Sequence, residues 1–217
     1  MKINFPLLAL AVGAFAIGTT EFSPMGFLPE IANDLSVSIP QARLLISAYA
    51  VGVIIGAPLM TLWLARFPKK TALILLMAIF TIGNVLATVA PDYMSLMGAR
   101  LITSLNHGAF FGLGSVVAAS VVPKDKQASA VAMMFMGLTI ANIGGVPLAT
   151  WLSQNTSWRM AFAAISILGI MTMLALWKAL PQDHDVVKPN VAKELRVLTR
   201  APVVLALLTT VMSAGAM

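Results

Sequence analysis

Apolar runs of about 20 residues, the length a helix needs to cross roughly 30 Å of hydrocarbon, recur along almost the whole chain and decide what it can fold into. Six complete runs are read at Phe5 to Phe27, Ala42 to Leu64, Thr71 to Val89, Tyr93 to Val122, Ala128 to Leu152 and Trp158 to Leu180. A seventh starts near Ala201 and reaches Met217. That length is marginal for a crossing, so the chain is expected to be a piece of something longer. Charged residues make up 10% of the 217 and hydrophobic ones 59%, against about 25% charged in a soluble domain. Lipid must cover what charge does not. The expected fold is therefore all-α and polytopic: a six-helix transmembrane bundle over 1–180, a cytoplasmic linker over 181–200 and a truncated seventh helix over 201–217.

Short turn-like links such as Arg66-Phe67-Pro68-Lys69-Lys70, Ala90-Pro91-Asp92 and Pro123-Lys124-Asp125-Lys126 make neighbouring helices antiparallel. The long link carries Val191, Leu195 and Leu198 on one helical face behind Asn190, which fits either a surface helix or a solvated linker. With the N-terminus placed in the cytoplasm, all of the 14 Lys and Arg except Arg43, Arg100 and Arg159 fall on the cytoplasmic side, as positively charged loops prefer. The net charge of +6 thus reports topology and not a nucleic-acid partner. The first run is too long, and its basic region too small, for a cleaved signal peptide.

Ionisable groups inside hydrocarbon cost at least about 2.5–3.5 kcal/mol on insertion scales, so each is a functional candidate. Glu21 lies inside the first run, just ahead of Pro24, whose ring displaces the Thr20 carbonyl from the helix ladder. Arg100 lies at similar depth in the fourth run, so the two could pair. Arg100, Ser104, His107, Phe111 and Ser115 follow at spacings that put them on one face of a continuous helix, with Asn106 beside them. A polar face in a lipid-bounded helix should look onto the protein interior or a wet cavity. His107 could bind substrate, relay protons or simply satisfy a neighbouring hydroxyl.

Small residues form two stripes, Ala48, Gly52 and Gly56 in the second run and Gly137, Ala141, Gly145 and Ala149 in the fifth, where helix backbones can approach closely. Gly144, Gly145 and Pro147 add an expected bend. There is no cysteine, no nucleophile elbow and no phosphate-cradling lysine motif, and His107 and His184 lack metal-ligand spacing. Neither enzyme chemistry nor ATP-driven pumping is expected.

Gly18-Thr19-Thr20-Glu21-Phe22 to Gly26-Phe27-Leu28-Pro29-Glu30-Ile31-Ala32, with Asn106-His107-Gly108-Ala109-Phe110-Phe111-Gly112, Ala141-Asn142-Ile143-Gly144-Gly145-Val146-Pro147-Leu148 and Trp158-Arg159, resembles the N-terminal half of a twelve-helix major facilitator superfamily transporter. Within it, the chain is similar to the drug and sugar proton-antiporter branch, and most to arabinose-type sugar efflux permeases. The loop between helices two and three departs from the usual Gly-x-x-x-Asp-Arg-x-Gly-Arg-Arg: Thr61, Ala65 and Pro68 replace the first glycine, the aspartate and the second glycine in that order, while Arg66, Lys69 and Lys70 remain.

The resemblance implies alternating access of a cavity between two six-helix bundles, driven by a proton gradient and without any other cofactor. Glu21 and Arg100 would couple protons. Thr20, Ser104, Asn106, His107, Phe111 and Asn142 would line the cavity. Gly52, Gly56, Gly137, Gly145 and Pro147 would serve packing and gating. The partners implied are membrane lipid, a small-molecule substrate such as a sugar or drug-like compound, and the missing C-terminal six-helix half, in a bacterial inner membrane. A non-transporting scaffold or remnant, and an uptake symporter of the same fold, remain the alternatives.

Overall fold

The computed structural model describes residues 4–181 and Leu205. The expected linker helix and, Leu205 apart, the expected seventh span lie outside the described residues. Within them, the six expected runs become six spans long and apolar enough to cross a membrane.

The first span is α1, Phe5–Gly26, capped by the Asn4 side chain, which accepts from the Leu7 N–H. A short α2, Leu28–Asp34, follows. The second span, α3 (Ile39–Leu64), opens with a capping box of Ser38 and Gln41, which satisfies orphan N–H groups at a polar boundary. The third is α4, Lys69–Thr88, behind Pro68.

The fourth span is not one helix. It divides into α5, Tyr93–Ser104, and α6, His107–Ser120. Side chains at the junction compete for the ladder carbonyls: Thr103 Oγ1 donates to Ala99 O, Ser104 Oγ to Leu101 O, and Asn106 Nδ2 to Thr103 O. The backbone tightens accordingly, with Leu105 N bonding Ile102 O and Asn106 N bonding Thr103 O, three residues back instead of four.

The fifth span runs through α7 (Gln127–Ile140), a π turn at Ala141–Gly145 and α8 (Val146–Asn155). Pro147 cannot donate to Ile143 O, and the Val146 N–H reaches back five residues to Ala141 O. Gly144 and Gly145, where a bend is expected, belong to this π turn, and Pro147 follows it. The sixth span is α9, Trp158–Ala179, capped by Ser157.

Helix α1 sits centrally, packed on α7 and α9, while α4 packs on α9 and α5, and α3 on α5 and α6. Leu10, Ile17, Phe80, Phe110, Trp158 and Phe162 fill the core. In lipid, helices gain no hydrophobic benefit from touching, so close backbone approach has to hold them together. The small stripes supply it. Gly52 faces the Ser104 side chain, Gly56 the Leu105 backbone, Gly137 the Ala11 carbonyl and the Phe15 N, and Gly145 Thr19 and the Phe15 ring. Outward faces carry large apolar residues such as Ile54 on α3 and Ile143 in the π turn.

Candidate functional site

Proline has no N–H, so Pro24 leaves the Thr20 carbonyl without its intrahelical donor. Arg100 replaces that donor: its Nη1 donates to Thr20 O at 3.0 Å and lies 3.5 Å from the Thr20 hydroxyl. The hydroxyl in turn donates to Asn84 Oδ1 at 2.7 Å, and the Asn84 amide donates to Phe80 O at 2.9 Å. One buried polar chain thereby joins α5, α1 and α4. Arg100 is 1% exposed, and its guanidinium stands 4.3 Å from the centre of the Tyr49 ring on α3. A planar, weakly hydrated cation suits that mixture of carbonyl and aromatic face. Its Nε and Nη2 have no hydrogen-bond partner among the described residues.

Glu21 turns elsewhere. Among the described residues the basic group nearest its carboxylate is His107 at the start of α6, with Nδ1 3.8 Å from Glu21 Oε2 and 3.2 Å from the Tyr49 hydroxyl. In place of a direct Glu21–Arg100 pair, contacts run in sequence from Glu21 to His107, from His107 to Tyr49 and from Tyr49 to Arg100. The side chains of His107 and Glu21 keep 16% and 27% of their surface exposed, which puts them at the bundle's rim and not in its core. The His107 ring lies 5.1 Å from Phe111, which stacks on Phe135 of α7 at the same separation.

Three expected cavity residues sit instead inside the bundle. Thr20 is enclosed between Asn84 and Arg100, Ser104 is pressed against Gly52, and Asn106 is fully buried at the junction between α5 and α6. Each makes a bond to its own or a neighbouring helix: Thr20 to Asn84, Ser104 to Leu101 O and Asn106 to Thr103 O. Asn142 is exposed on the π turn, its amide donating to Leu138 O at 3.0 Å. Sequence reasoning missed Tyr49 and Asn84. Asn84 had a signal, a lone amide in the apolar run from Phe80 to Val85.

On the face where α1 begins, Lys70 Nζ donates to Leu180 O at 2.7 Å and Arg66 Nε to Trp63 O at 2.8 Å, so the loop cations use backbone carbonyls where the usual motif has an aspartate. Lys69 lies beside them at the start of α4. On the opposite face Asp34 accepts from Arg159 Nη1 and, at 3.0 Å, from Trp158 Nε1, while Arg159 Nη2 donates to Ala90 O at 2.9 Å. The Arg159 hydrogen bond first, and the Trp158 bond second, hold the Asp34 carboxyl below the usual carboxylate range. Their contribution to stability is therefore complete above that range and fades as pH falls through the lowered native value. Because the group is exposed, Asp34→Asn should cost only about 0.2–1 kcal/mol at pH 7. Melting curves should show the gap from the parent closing in acid; a gap independent of pH would contradict the assignment.

The Major Facilitator Superfamily model matches residues 10–217. This chain belongs to that superfamily. It is 67% identical over 217 residues to the inner membrane transport protein YdhP of Escherichia coli K12, covering 100% of this chain and 56% of that protein. It is 31% identical over 176 residues to the "Probable sugar efflux transporter" of Pasteurella multocida, covering 81% of this chain and 43% of the relative. The chain spans about half the length of these curated relatives. The crystal structure of a bacterial homolog to the human lysosomal transporter Spinster, inward-facing and unoccupied, shares the fold with a TM-score of 0.71 at 18% identity, over 89% of this chain and 47% of that one. The six spans are the N-terminal half of a major facilitator fold.

Proposed function

We propose that the protein is a secondary active transporter exporting small molecules, sugars or drug-like compounds, with protons moving inward. One observation carries the reading: a carboxylate, Glu21, stands at the bundle's rim beside His107, whose partner Tyr49 lies against a fully buried cation, Arg100, with two donor nitrogens that have no hydrogen-bond partner among the described residues. Glu21 is the proton carrier. Deprotonated, it has a fixed positive charge behind it; protonated, it is neutral and releases that attraction, which biases a two-state equilibrium. The name of the Pasteurella relative, a probable sugar efflux transporter, supports export and the sugar class. The E. coli relative's name supports an inner-membrane location, and the distribution of Lys and Arg supports a cytoplasmic N-terminus. A second six-helix bundle supplies the other cavity wall, and the proton gradient is the energy source without further cofactor.

In everted vesicles carrying the full-length protein, a panel of sugars and hydrophobic cations should include compounds whose movement discharges the proton gradient. Glu21→Gln should abolish that discharge. Proton-driven transport that persists at the parent's rate in this variant would remove Glu21 from the mechanism.

A further inference from the structure

We propose that Glu21 and His107 form one proton-binding unit, with Glu21 Oε2 and His107 Nδ1 holding a single proton between them and Tyr49 orienting the imidazole. This rests on the reading of Glu21 as proton carrier and names its partner. His107 Nδ1 faces Tyr49 Oη at 3.2 Å and Glu21 Oε2 at 3.8 Å, so one ring nitrogen stands between a hydroxyl and a carboxylate. Three helices bring the groups together: α1 supplies Glu21, α3 Tyr49, and the break before α6 makes His107 the first residue of a new helix.

Two arrangements balance. In one, Glu21 is the acid, its O–H directed to the lone pair of neutral Nδ1. In the other, Nδ1–H of the imidazolium is directed to the carboxylate. Moving the proton between them breaks one O–H bond and forms one N–H bond, with no other reactant. Direct transfer needs a separation of about 2.6–3.2 Å, so the carboxylate must approach by roughly 1 Å, a side-chain movement. Nδ1 has one lone pair or one hydrogen, so Tyr49 holds that nitrogen while the carboxylate stands at 3.8 Å and yields it as Glu21 closes in. The Tyr49 ring in turn lies against the Arg100 guanidinium, 4.3 Å away. Among the described residues the titratable groups of this cluster are Glu21 from α1, Tyr49 from α3, Arg100 from α5 and His107 from α6; α4 and α7 contribute Asn84 and Phe135. The partial exposure of Glu21 and His107 gives the shared proton a route to water.

The test needs no substrate. Infrared difference spectra of the full-length protein in lipid nanodiscs, recorded across pH, would follow the protonated carboxyl band that disappears in Glu21→Gln. His107→Gln should move the midpoint of that band by about one pH unit or more, the mark of strongly interacting sites. Tyr49→Phe should move it less. A midpoint unchanged in His107→Gln would overturn the proposal, since a histidine that only fills space would leave it in place. Should His107→Gln fail to fold, nitrogen resonances of labelled histidine decide instead. The His107 signal should titrate at a different pH in Glu21→Gln than in the parent, and an identical midpoint overturns the proposal. Glu21→Gln vesicles that still couple protons would refute the carrier role of Glu21 while leaving a shifted midpoint, and hence the pair, standing.

Discussion

Arg100→Leu is expected to destabilise the bundle by about 1–3 kcal/mol, because it strands the Thr20 carbonyl in a dry interior. The carbonyl lacks its helical donor only because residue 24 is proline. Pro24→Ala returns an N–H four residues ahead of Thr20 and should therefore rescue part of the loss. The double variant Arg100→Leu/Pro24→Ala should be more stable than the sum of the single changes predicts, by at least about 0.5 kcal/mol. Denaturant titrations of the four proteins in one detergent measure that coupling, and strict additivity would show that Arg100 and Pro24 are unrelated. Arg100→Lys should recover stability only in part, because an ammonium can reach the carbonyl but cannot lie flat over the Tyr49 ring. Transport separates the two roles of the residue. Restoring the helical hydrogen bond replaces the tie but not the charge, so Pro24→Ala should stabilise Arg100→Leu without returning proton coupling.

The spans were legible because the bilayer fixes a length, and length is read directly from sequence. The apolar run from Phe5 to Phe27 forms a helix over Phe5–Gly26, and the run from Trp158 to Leu180 forms one over Trp158–Ala179. Depth is legible in the same way, which is why Glu21 and Arg100 were placed at one level. Direction around the helix axis is not. Depth supplies one coordinate of a contact, and tertiary packing supplies the other, so Arg100 reaches Thr20 while Glu21 turns to His107. The fourth span shows a second limit. Spacings of three and four define a common face only while the helix is continuous, and the bonds of Thr103, Ser104 and Asn106 to nearby carbonyls interrupt it. Ser104, expected on a wet face, then packs on Gly52. Tyr49 escaped notice because an aromatic residue in an apolar run carries no local sign that its hydroxyl will meet a histidine 58 residues away.

Gly137→Ala should destabilise the bundle by about 1–3 kcal/mol, the range for inserting a methyl group where none fits. A Cβ there would run into the Ala11 carbonyl oxygen and stand 3.0 Å from the Phe15 nitrogen, both backbone atoms of α1 that cannot rotate aside. Relief requires α7 to move away from α1 along the contact that holds the centre of the bundle. In water, the exposure of apolar surface would resist such a separation; in lipid, acyl chains fill the gap, and the lost van der Waals contacts are not recovered by any solvent penalty. Opposing this is the helix propensity gained from alanine, about 1 kcal/mol in a helix interior. The obstacle decides the sign. At Gly145 the obstacles are the Thr19 hydroxyl and the Phe15 ring, side chains with some freedom to shift, so Gly145→Ala should cost less. At Gly112 nothing lies within 4 Å, and Gly112→Ala should be neutral or mildly stabilising. Melting temperatures of the three variants should therefore fall in the order Gly112→Ala, Gly145→Ala, Gly137→Ala, from highest to lowest. A Gly137→Ala protein as stable as Gly112→Ala would mean that α1 and α7 do not meet backbone to backbone.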